Sequence, residues 1–134
     1  MNNIEYVRVF NQLVDQFFNE LIETFPEQRQ IRTRYLAFQT VCKANVRKTV
    51  TNFMNNSLPY LEKILNKDES FFFGDDKPDI LKQLKVELWW NSDLSEKTKA
   101  TIWKYIQSFF AVGIKSVEVP EEYLPIIHYI INTE

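Results

Sequence analysis

From Ile4 to Phe25 apolar residues return at steps of three and four: Val7, Phe10, Val14, Phe17 and Leu21, flanked by Leu13, Phe18, Ile22 and Phe25. At about 100° per residue this spacing gathers them on one broad face, which predicts a long amphipathic helix. Pro26 stops that helix. Pro26-Glu27 also suits the start of a second one, because proline fits a first turn and a carboxylate there meets the positive end of the helix dipole. Ile31, Tyr35, Phe38 and Cys42 carry the rhythm onward. Beyond Cys42 two readings stay open: Asn45 caps a new helix, or one helix runs on through Val46, Val50 and Phe53.

Pro59 breaks or kinks the next stretch, where Leu58, Leu61, Ile64 and Leu65 supply a short apolar face. Residues 66–77, NKDESFFFGDDK, read as a loop, since they mix acidic residues with a glycine. Pro78 and Asp79 open another helix, with Ile80, Leu81, Leu84 and Leu88 as its core stripe and Asn91-Ser92-Asp93 as its end. Either Asp93 with Glu96, or Ser95 ahead of Thr98, then caps a helix bearing Ile102, Ile106, Phe109 and Gly113, with Trp103, Phe110 and Ile114 alongside. A last helix starts at Pro120-Glu121-Glu122, tolerates Pro125 in its first turns, and turns Tyr123, Ile127, Ile130 and Ile131 inward. The expected fold is all-α: one domain over residues 1–134, a bundle of five to seven amphipathic helices with no internal repeat and no dividing linker.

Composition narrows this further. Of 134 residues only 2 are glycine, so few turns that need positive φ are expected. A single cysteine, Cys42, excludes an internal disulfide and a multi-cysteine zinc site. The N-terminus has no basic region followed by an apolar run, and nowhere do about 18 apolar residues follow one another. These features make an intracellular protein without a membrane span the expectation. The formal net charge of -2 conceals an asymmetry. Residues 28–61 hold six cations (Arg29, Arg32, Arg34, Lys43, Arg47, Lys48) and no acid, which leaves ten cations and eighteen acids elsewhere.

Catalytic chemistry has little to draw on. The one histidine, His128, sits between Ile127 and Tyr129 without a nucleophile in sight, and Cys42 keeps the spacing of a small core residue. The acids Asp68, Glu69, Asp75 and Asp76 lack the alternating ligands of a calcium loop. We therefore expect no enzyme, no cofactor, no metal and no small-molecule substrate.

Two stretches suggest binding. Three phenylalanines in a row, Phe71, Phe72 and Phe73, cannot all face inward from one irregular segment. Trp89 and Trp90 fall off the leucine stripe of their helix, so they call for a second neighbour, either within the chain or on a protein partner. Trp103 reads as an internal anchor. An aromatic patch of Trp89, Trp90, Phe71, Phe72 and Phe73 is thus the leading candidate for a protein contact or for self-association. The alternative is nucleic acid: were a single helix to run from Pro26 past Arg47, then Arg29, Arg32, Lys43 and Arg47 would share a sector of about 60° and form a line of cations for a phosphate backbone.

One resemblance bears on these choices. Phe25 to Glu27 closing a long aromatic helix, the acidic loop with Phe71 and Phe72, and Leu88 to Ser95 (LWWNSDLS) leading to Ile102 to Tyr105 (IWKY) resemble small, uncharacterised helical proteins of nucleocytoplasmic large DNA viruses, the giant viruses of protists and algae. The likeness spans most of the chain between Phe10 and Phe110. It implies a viral protein acting in the cytoplasm or nucleus of an infected cell or carried in a virion, with a structural or interaction role, and it brings no functional residues with it.

Overall fold

A computed structural model describes residues 3–74 and 77–133 of the chain, with side chains through Tyr129. Its helices are α1 (Asn3–Thr24), α2 (Arg29–Ala44), α3 (Lys48–Ser57), α4 (Leu61–Leu65), α5 (Ser70–Phe73), α6 (Asp79–Gln83), α7 (Glu96–Ser116) and α8 (Leu124–Thr133). Short 3-10 turns lie at Leu58–Tyr60, Val86–Leu88 and Glu121–Tyr123. The fold is an all-α bundle, and among the described residues there is no strand.

The frame is α1 against α7. Val7, Phe10, Val14, Phe17, Phe18 and Leu21 of α1 and Ile102, Ile106, Phe109, Phe110 and Gly113 of α7 are all buried, and the two helices pack against each other. Phe109 is the hinge of this contact, lying edge-on to Phe17 with ring centroids 5.5 Å apart and tilted against Phe10 at 5.5 Å. Apolar stripes this long each need a neighbour of similar length, and these two helices provide it for one another. Of the two caps expected for α7, Ser95 is the one used: its Oγ accepts the Thr98 N–H at 3.1 Å. Asp93 instead donates its backbone N–H to Asn91 Oδ1 at 2.9 Å, a local turn.

Proline and asparagine decide the next boundaries. Pro26-Glu27 forms a turn rather than a helix start, closed by the Gln28 N–H on Phe25 O at 3.0 Å, and α2 begins only at Arg29. Asn45 is extended (φ -154°, ψ 100°), which ends α2; its Oδ1 accepts the Arg47 N–H at 3.1 Å and leads into α3. The continuous helix through Val46 is therefore excluded, and Asn45 divides two helices.

Between α3 and α7 the chain is built from pieces of five residues or fewer. α4 ends in a Schellman arrangement: Asp68 N–H reaches Lys63 O at 2.8 Å and Lys67 N–H reaches Ile64 O at 3.3 Å, with Lys67 at φ 53°. A second left-handed residue, Lys85 at φ 50°, follows α6. Lysines thus occupy the positions where scarce glycine had suggested that such turns would be few. The expected loop over 66–77 contains α5, started where the Asp68 carboxylate accepts the Ser70 N–H at 3.0 Å. That bond holds the Asp68 carboxyl below its ordinary range.

Lys85 also overturns the expected leucine stripe. Because α6 stops at Gln83 and the chain reverses hand at Lys85, the helical phase is lost: Leu81 and Leu84 stay buried, whereas Ile80 and Leu88 are exposed at 37% and 54%. Val86, Trp89 and Trp90 take the inward places instead. In α8, Pro125 lies in the first turn and Ile127 is buried; the side chains of Ile130 and Ile131 lie outside the described residues. No described helix is long and apolar enough to cross a membrane.

Candidate functional site

The aromatic residues expected at a surface patch are mostly core. Trp89, Trp90, Phe71 and Phe72 are all buried, and only Phe73, 48% exposed, reaches solvent. The reason is geometric. α5 is a single helical turn, so Phe71 and Phe72 face inward together and Phe73 falls on the far side. Phe72 stacks on Trp90 with centroids 4.2 Å apart, and Trp103 of α7 meets both, tilted against Phe72 at 4.9 Å and edge-on to Trp90 at 5.9 Å. Phe71 closes the group against Phe72 at 5.3 Å and Tyr60 at 5.9 Å. Lys99 covers it from outside, its Nζ 5.7 Å from the Trp90 ring and 3.0 Å from Glu69 Oε1. Trp89 belongs elsewhere: its indole N–H donates to Leu84 O at 3.0 Å, and its ring packs on Phe25 at 5.0 Å. The second neighbour is α7 for Trp90, with Trp103 the internal anchor expected of it, and Phe25 just past the end of α1 for Trp89.

The cations divide differently. Arg29, Arg32 and Lys43 share the outer face of α2 within about 60° of one another. Arg47 lies beyond the break at Asn45, where its guanidinium donates to Asn3 Oδ1 at 2.8 Å, so the row has three members rather than four. Arg32 also donates to the neutral Pro26 O at 2.9 Å, and among the described residues it forms no ion pair. At the centre of the row stands Leu36, 63% exposed. α2 buries only Ile31 fully, so most of its surface faces outward. Among the described residues the ion pair Lys99–Glu69 does not involve this face, and no acid occurs from residue 28 to residue 61.

A surface of opposite sign lies ahead of α8. Glu118, Glu121 and Glu122 are exposed, and Leu124 beside them is 39% exposed. Lys115, the nearest cation in sequence, is turned to the Tyr6 ring, its Nζ 5.4 Å from the centroid. Each of the two surfaces therefore has an exposed leucine set among like charges, and the charges are opposite. The sequence offered the acids plainly, but single glutamates on a helix start look like caps, and nothing marked Leu124 as outward.

Nucleophiles and acids are occupied locally. Cys42 is half-buried at the end of α2, and burial pushes its thiol above the ordinary range against a smaller opposing effect of the Thr49 side chain, so the reactive thiolate is disfavoured. His128 is exposed on α8. Asp68 serves α5 and Glu69 serves Lys99, while Asp75 and Asp76 lie outside the described residues. Tyr35 donates to Asp15 Oδ1 at 2.6 Å, and Asn19 Nδ2 donates to the other carboxylate oxygen at 3.2 Å, a network that ties α2 to α1.

No family model, no curated protein and no solved structure matches the chain.

Proposed function

We propose that this chain is a non-enzymatic structural module that assembles with its own copies, the outer face of α2 on one copy docking on the acidic stretch before α8 on the next. The observation that carries this reading is Leu36, 63% exposed in the middle of Arg29, Arg32 and Lys43, opposite in charge to Glu118, Glu121 and Glu122 around Leu124. An apolar centre ringed by charge is the usual anatomy of a protein contact, the centre supplying affinity and the rim supplying orientation. Two different surfaces can meet once per contact, head-to-tail, which builds rings or open chains, or twice in a two-fold pair. The resemblance to small helical proteins of large DNA viruses supports a virion or infected-cell setting for such a building block. Light scattering on chromatographed protein at low ionic strength tests it: a mass that rises with concentration and falls with salt is expected, and a monomer throughout would contradict it.

A second reading, nucleic-acid contact, is favoured by the acid-free run of six cations over residues 28–61. Against it, Leu36 interrupts the cationic row where a phosphate backbone would lie. Labelled duplex and single-stranded DNA or RNA at low ionic strength separate the readings. Binding that weakens steeply with salt would favour nucleic acid, and no binding would remove it.

A further inference from the structure

Between α2 and α3 on one side and the α5–α6 segment on the other, a cleft of about 330 Å³ runs down to α1 and α7. It is lined by aromatic rings, among them the buried Phe10 and Phe109 and the half-buried Phe53, and by polar chains, most of them more exposed. The volume falls at the lower end of those that hold small organic ligands. Taking about 30 Å³ for a water-sized group, it accommodates roughly a dozen non-hydrogen atoms, the tail of an amphiphile whose head group lies at the open mouth.

Two features give the cleft chemical direction. Ser57 lines it and is 0% exposed, and its Oγ has no hydrogen-bond partner. A buried hydroxyl left without a partner costs about 1–3 kcal/mol, so it favours any occupant that brings an oxygen to it. At the mouth stand Arg34 and Lys48, neither of them in an ion pair among the described residues, with Asp79 of α6 the described acid in the lining. Among the described lining residues two cations stand against one anion, a balance that suits a carboxylate.

We propose that this cleft binds a monocarboxylate amphiphile of about a dozen carbons, its tail among the phenylalanines, its carboxylate at Arg34 and Lys48, and a hydroxyl or other oxygen along the tail meeting Ser57. Burial of an alkyl chain supplies the bulk of the affinity, the two cations set its direction, and the serine selects oxygenated chains over plain ones. The site is independent of the assembly surfaces, since Arg34 and Lys48 lie outside the row formed by Arg29, Arg32 and Lys43.

Trp89 lines the same cleft and reports on it. Titration of the protein with 12-bromododecanoate, below its micellar range, is expected to quench tryptophan fluorescence saturably at one ligand per chain, with less quenching in Trp89→Phe. By calorimetry dodecanoate should bind about tenfold more tightly than dodecanol, a ratio that falls to near unity in the Arg34→Gln/Lys48→Gln variant. Ala37→Trp, a change at an exposed position on the rim, should abolish binding while leaving the circular dichroism spectrum intact. Among the 8-, 10- and 12-hydroxydodecanoates at least one should bind more tightly than dodecanoate, and Ser57→Ala should remove that advantage alone. Equal affinity for dodecanol and dodecanoate, unsaturable quenching, or uptake of N-acetyl-phenylalaninamide but not of the acid would each overturn the proposal.

Discussion

The indole of Trp90 stacks on the ring of Phe72, centroids 4.2 Å apart and planes 27° from parallel, and Trp103 of α7 closes edge-on against the indole. This contact fastens a stretch that could not stand alone. α4, α5 and α6 are each of five residues or fewer, well below the length at which an isolated helix persists in water, so their order comes from tertiary anchors. Phe71, Phe72 and Trp90 are those anchors, and α7 is what they grip.

Removing an anchor should therefore loosen the whole 58–95 stretch. Phe72→Ala is expected to cost about 3–5 kcal/mol in urea unfolding, and Trp90→Phe distinctly less because a ring remains to stack. A double-mutant cycle between the two should return a coupling of about 0.5–1.5 kcal/mol. Amide exchange from α5 should accelerate in Phe72→Ala more than that from α1.

Gly113 fits α7 against α3 because it has no side chain: a Cβ there would lie 2.5 Å from Met54 Sδ. Alanine normally strengthens a helix by about 1 kcal/mol over glycine, but Met54 is 1% exposed and has little room to yield. Overpacking of this kind costs about 1–3 kcal/mol, so Gly113→Ala should destabilise the protein by about 1 kcal/mol net. In a Met54→Ala background the same change should turn neutral or stabilising, measured as the shift of the urea midpoint.

Lys67 holds φ 53° at the end of α4, a conformation that costs a side-chain-bearing residue about 1–2 kcal/mol. Glycine gives back part of that gain through its freer unfolded state. Lys67→Gly should accordingly raise stability by about 0.5–1 kcal/mol, read as a higher thermal midpoint.

Tyr35 and Tyr105 give the fold an alkaline limit. The hydrogen bond to Asp15 raises the first above the ordinary tyrosine value, and burial, then the Glu20 carboxylate that its hydroxyl meets at 3.0 Å, raises the second. A phenol harder to ionise when folded contributes stability in full below the unfolded value near 10 and loses it as pH climbs through the folded one. Urea midpoints should thus fall above about pH 10 in the parent protein, and the fall should be shallower in Tyr35→Phe/Tyr105→Phe.

Much of the frame was readable from spacing, since Val7 to Leu21 and Ile102 to Gly113 follow the helical period over many turns, where packing has only one face to choose. Ser95 was readable as one of two candidate caps, because a short polar side chain before an apolar run has few other uses. Asn45, read as a candidate start of a helix, instead ends α2 and leaves Arg47 to begin α3. The 66–90 stretch was not, because its phase depends on Lys67 and Lys85, lysines that adopt left-handed backbone without any compositional sign. Once Lys85 breaks the helix, Leu88 and Ile80 turn out and Trp89 and Trp90 turn in, so a patch reasoned from one continuous helix dissolves into core. The cationic row was half-legible: its acid-free composition was visible, and its division at Asn45 was one of two open courses. Leu36 and the facing acids around Leu124 became meaningful only when exposure was known.

The central claim, that α2 meets the stretch before α8 on another copy, is tested most directly by a charge swap followed by light scattering at low salt. Arg29→Glu/Lys43→Glu and Glu121→Lys/Glu122→Lys should each be monomeric when alone, and an equimolar mixture of the two should associate, because each retains the surface that complements the other. Restored association in the mixture is the predicted result. Unchanged self-association of either variant, or a mixture that stays monomeric while the parent protein assembles, would contradict it.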